Sequence, residues 1–100
     1  MAIINYGEAT AYLRIEDFNP NRNFIDDCIE SAETAVFEEA NISPQEWEWI
    51  DGNSTIREIM RVAVLYSIGW FYEHGKEDQH DLRLTLRNLL FDIRKRKLWK

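Results

Sequence analysis

The chain has 100 residues and a mass of 12.0 kDa, of which 45% are apolar and 13% aromatic, enough for one modest core and too apolar for a disordered polymer. Eighteen acidic side chains against twelve basic give a net charge of −6, which argues against sequence-independent binding of nucleic-acid phosphates as the main activity. The lone cysteine, Cys28, excludes an intrachain disulfide and fits a reducing compartment.

The opening MAIINYGEAT has neither the basic region nor the apolar run of a secretory signal, so none is expected. The longest apolar stretch, residues 59–72, contains Arg61 and falls short of the roughly 20 residues that span a bilayer. No repeat, low-complexity tract or linker divides the chain. One soluble all-α domain over residues 1–100 is expected, with four main helices and one short one.

In chain order, residues 6–15 predict a short helix, closed by a turn around Asn19-Pro20-Asn21. Residues 24–40 predict a second. At 100° per residue, Ile25, Cys28, Ile29, Ala32, Ala35, Val36 and Ala40 share one face. Phe37 projects onto the acidic flank and is expected to be exposed. Glu39 projects onto the apolar side, and its place in the last turn predicts that it reaches solvent.

Ser43-Pro44-Gln45-Glu46 has the pattern of a capping box with proline at the first helical position. Ile42 and Trp47 stand where a hydrophobic staple needs them, and the short helix should end near Gly52. Trp49 has no such role and is a candidate contact residue, with core packing as the other option. Asn53-Ser54-Thr55 offers N-caps for a long helix over residues 56–74, with Gly75 as its stop. Beyond Arg61 the apolar residues of that helix cover every azimuth, which predicts a central helix buried among the others. Gly69, about 1 kcal/mol unfavourable there relative to alanine, predicts a close helix crossing.

The last helix is expected over residues 81–98. Leu82, Leu86, Leu89, Leu90 and Ile93 form its core face, while Leu84, Phe91 and Leu98 form a second stripe seven residues apart. A surface helix of a monomer needs only one such stripe. Arg94, Lys95, Arg96, Lys97 and Lys100 then form the basic cluster at the C-terminus. They either complement the helix dipole or form a docking tail for an acidic surface, anchored by Trp99.

Glu77 and His80 have the spacing of paired ligands in a di-iron bundle, but a single copy in a predicted turn lacks the remaining ligands. Cys28 lies on an apolar face, where a thiol packs rather than reacts. No phosphate loop, zinc set or nucleophile elbow is present, so neither catalysis nor a metal or cofactor is expected.

Four segments together resemble the small helical head-tail connector proteins of tailed bacteriophages. These are AYLRIED at residues 11–17, FIDDCIESAETAVFEEA at 24–40, AVLYSIGWFYEH at 63–74 and LRNLLFDIRKRKLW at 86–99. Their order and spacing match the family's over nearly the whole chain. The resemblance implies a virion component at the head-tail junction, assembled in the bacterial host cytoplasm. Such proteins form a ring of about a dozen copies under the portal protein, closed by two different patches on each subunit. The ring extends the DNA channel without reading sequence, and it docks the next head-completion or tail protein. Phe37, Trp49, Leu84, Phe91, Arg94, Arg96, Leu98 and Trp99 are the candidate contact residues. The alternative is a small dimeric helical adaptor or regulator, paired through Leu84, Phe91 and Leu98.

Overall fold

Asn5 begins the first helix by reciprocal capping: its side chain accepts from the Glu8 N–H at 2.8 Å, and Glu8 accepts from the Asn5 N–H at 3.1 Å. The structure is a computed structural model and describes residues 3–14, 22–49, 55–91 and 93. Among these, every regular element is helical: α1 (Tyr6–Leu13), α2 (Arg22–Ala40), α3 (Pro44–Trp49), α4 (Thr55–His74) and α5 (His80–Leu89). The expected turn around Asn19-Pro20-Asn21 and the caps Asn53 and Ser54 lie outside the described residues.

Helix ends follow local chemistry. Arg14, in the left-handed region at φ 59°, ends α1 before residue 15. Asn41, also at φ 59°, ends α2: its N–H donates to the Glu38 carbonyl and that of Ile42 to the Phe37 carbonyl. That paired pattern satisfies two orphan carbonyls. Ser43 and Glu46 form the expected capping box at α3, at 3.2 and 2.9 Å. Gly75 stops α4 at φ 77°, its N–H donating to the Phe71 carbonyl.

The predicted face of α2 is buried in full, from Ile25 to Ala40, and meets Met60, Ala63, Val64, Ile68 and Phe71 of α4. Ala32, Ala35 and Ala63 keep that interface thin. Leu82, Leu86, Leu90 and Ile93 close the core from the α5 segment, and Ile3, Ile4 and Ala9 from the N-terminal side. Buried Ser67 satisfies its hydroxyl locally by donating to the Ala63 carbonyl at 2.8 Å.

The Cα envelope measures 44 × 29 × 18 Å. With packed helices about 8–10 Å apart, its thin dimension holds two layers, so each helix keeps an outer side. For that reason α4 is not buried all round: Val62 is 56% exposed, and Tyr66 and Tyr72 also reach solvent. Leu89, expected in the core, is 40% exposed. The close approach at Gly69 is made by a ring, not a helix backbone: Tyr12 Cε2 lies 3.3 Å from where a Cβ would stand.

Candidate functional site: exposed apolar faces and the charge network

Helix α5 positions two of the candidate contact residues. Its core side is filled by Leu82 and Leu86, with Leu90 just beyond its end, which turns Leu84 and Phe91 outward at 45% and 58% exposure. Leu98, the third member of that stripe, lies outside the described residues, as do Arg94, Arg96 and Trp99. The described part of the terminal helix ends its regular run at Leu89, with Phe91 and Ile93 still helical.

Phe37 departs from expectation. It is half-buried rather than exposed, because Trp47 turns back over it with ring centroids 6.2 Å apart and planes at 77°. The α2–α3 turn creates this contact, and no projection of α2 alone contains it. Arg57 covers the other part of Trp47, its guanidinium 4.3 Å from the ring centre and donating to the Trp47 carbonyl at 3.2 Å. Phe37 still borders an apolar hollow of about 440 Å³ with Ile42, Asn41 and Thr34. Trp49 is the last residue of α3, and nothing is described of its side chain.

Glu39 corrects a second expectation. It is only 7% exposed and accepts from Arg83 at 3.2 Å and Arg87 at 3.1 Å. Burial pushes its carboxyl up, but the hydrogen bonds from Arg87 and Arg83 and their charges outweigh this and hold it below the ordinary 4.5. Arg83 also pairs with Glu38 at 2.8 Å. Two carboxylates in the last turn oppose the helix dipole, and the arginines of α5 offset them.

Two further acids secure the N-terminal segment. Glu33 accepts from the N–H groups of Ile3 and Ile4 at 2.6 and 3.4 Å. Burial pushes its carboxyl up, only partly countered by those two bonds. Glu8 pairs with Arg61, which also donates to the Ile3 carbonyl at 3.2 Å. The Arg61 hydrogen bond, followed by the capping bond from Asn5, holds the Glu8 carboxyl low. Lys76 reaches from the α4–α5 turn to Asp27 at 2.8 Å, and Arg22 reaches Asp26 at 3.7 Å.

The surface that sequence reasoning missed lies on α4. Thr55, Glu58, Val62, Tyr66 and Glu73 recur at helical spacing on its outer side and are all exposed. The signal was the pair of acids, Glu58 and Glu73, in register with Val62 and Tyr66. Apolar crowding on the rest of the helix hid it.

Among the described residues no group of three or more His, Cys, Asp or Glu could hold a metal ion, and no helix is long and apolar enough to cross a membrane. Glu77 and His80 flank the start of α5, where Asp78 accepts from the His80 N–H at 3.1 Å. Burial, and then the charge of Asp27, push the Cys28 thiol up, away from the reactive thiolate. Comparison with protein-family models, curated proteins and solved structures returns no match to this chain.

Proposed function

We propose that this chain is a structural subunit acting by self-association, a head-tail connector of a tailed phage or prophage. The observation that carries the reading is the α5 segment, apolar on both sides, with Leu82, Leu86 and Leu90 buried and Leu84 and Phe91 facing water. A second exposed apolar pair, Val62 and Tyr66, stands among polar residues on a different helix, α4. A closed ring needs two such unlike patches, whereas a two-fold dimer needs one. Helix α4 is then the central helix of the assembly, its outer side covered only when subunits meet.

In this reading the work is geometric. Neighbouring copies close the ring, one rim docks the portal protein, the other docks the next head-completion or tail protein, and DNA passes through the lumen. A ring of about a dozen subunits at −6 each would carry on the order of −70, so DNA would slide past its wall rather than adhere. Assembly would occur in the bacterial host cytoplasm and end in the virion at the head-tail junction.

Native mass spectrometry over a wide concentration range tests this. A closed species of about a dozen subunits is expected, and Phe91→Asp should dissolve it while the monomer keeps its helical circular-dichroism spectrum. A discrete dimer would replace the connector with the adaptor. An unchanged assembly in folded Phe91→Asp would remove the α5 stripe from the interface.

A further inference from the structure

Between α1 and the outer side of α4 runs a groove of about 400 Å³ bordered by Tyr12, Tyr66, Gly69, Trp70, Glu73 and His74. Gly69 forms part of its floor, with the Tyr12 ring packed against it. Tyr12 and Tyr66 are both nearly half-exposed, and Trp70 stacks on His74 with centroids 4.7 Å apart. Among the described residues Glu73 makes no ion pair, although it lies exposed beside these rings. Aromatic faces attract cations through their quadrupoles, and a carboxylate supplies the opposing charge. An anion would be repelled here, and a purely apolar occupant would desolvate Glu73 with nothing to replace its water.

The cations of this chain are unevenly distributed along the sequence. Of its twelve lysines and arginines, Arg61, Lys76, Arg83 and Arg87 pair with acids across the fold, Arg22 pairs with Asp26 and lies over Tyr6, and Arg57 lies over Trp47. Five of the others fall in the last seven residues, RKRKLWK. That segment joins cations to Leu98 and Trp99, the same combination of charge and apolar surface that the groove offers in complement.

We propose that the Tyr12–Tyr66–Trp70–Glu73 groove receives the basic C-terminal segment, residues 94–100, of a second copy of this chain. The inference rests on the self-association reading above and assigns a donor and an acceptor to one contact of the assembly. The contact is heterologous, because the segment of one copy meets the groove of another, and it can therefore propagate around a ring.

Sedimentation velocity on the full chain and its variants reads the contact. Glu73→Lys alone, or Arg94→Glu with Arg96→Glu, should each weaken self-association about tenfold. Combining the three should restore most of the loss, which a merely structural effect would not do. At concentrations where both are monomeric, Glu73→Lys should keep the wild-type thermal midpoint, since Glu73 is exposed. Self-association of Glu73→Lys equal to wild type overturns the proposal and leaves the connector reading standing.

A second arm separates the two failures. The peptide RKRKLWK, titrated into dilute protein, should shift the amide resonance of Gly69 and the indole resonance of Trp70. A peptide with its cations replaced by glutamine should not. Absence of the shift overturns the groove assignment, whereas a monomeric wild-type chain at every concentration overturns self-association itself.

Discussion

Replacing Arg83 and Arg87 together with methionine removes two cationic partners from the Glu39 carboxylate in a site where its side chain is only 9% exposed. Two charge-assisted hydrogen bonds, at 3.2 and 3.1 Å, are lost, each worth about 1.5 kcal/mol. Arg87 is itself 56% exposed, so solvent screening reduces its share, and the expected cost is about 2–3 kcal/mol. For a domain of this size that lowers the thermal midpoint by roughly 10–20 °C. Glu39→Met should cost only about 1 kcal/mol, because Arg83 retains Glu38 and Gln79 and Arg87 can hydrate. Methionine keeps the aliphatic stem of arginine, so the packing along α5 is largely preserved.

The pH dependence carries the sign. In the native chain the Glu39 carboxyl lies below its ordinary 4.5. Its contribution is therefore fully present above that value and lost as pH falls through the folded-state pKa. In the double variant the two arginines no longer offset burial, so the carboxyl rises from its native value. The deficit is then largest at neutral pH and shrinks as pH falls and the group protonates. Urea unfolding followed by circular dichroism, at neutral pH and in mild acid, measures both effects. A double variant no less stable than Glu39→Met, or a deficit independent of pH, would refute the argument.

Two other outcomes follow from single positions. Gly69→Ala removes a cost of about 1 kcal/mol in the helix interior, and the added Cβ meets only the Tyr12 ring at 3.3 Å; because Tyr12 is half-exposed it can yield, so the thermal midpoint should rise, and a fall would show the ring to be fixed. Glu33 carries a raised carboxyl, so its ionised form weakens the fold as pH rises through the folded-state pKa; Glu33→Gln should melt higher than wild type at pH 7, the gap closing in acid, and a gap that widens in acid would reverse the assignment.

Most helix positions and their caps, and the inner face of α2, are legible in the amino-acid order alone, whereas Leu89 was expected in the core and is exposed. Capping chemistry is local: Ser43 with Glu46 and the stop at Gly75 involve neighbours in the chain, and all are read without knowing the fold. The buried side of α2 was equally legible, because a helix that faces one core must repeat its apolar residues at helical spacing. Asn41 and the Ile3-Ile4 pair were passed over, the first because asparagine signals a left-handed cap less strongly than glycine, the second because two residues have no period.

What each outer side meets was decided only in three dimensions. Glu39 is buried because α5 brings Arg83 and Arg87 across to it from more than forty residues away. Phe37 is half-covered because the turn at Asn41 folds Trp47 back over it. Helix α4 keeps Val62 and Tyr66 in water because two layers of helices cannot surround it. Periodicity reports how apolar a face is, and only the packing of one element on another decides whether that face is covered by the chain itself.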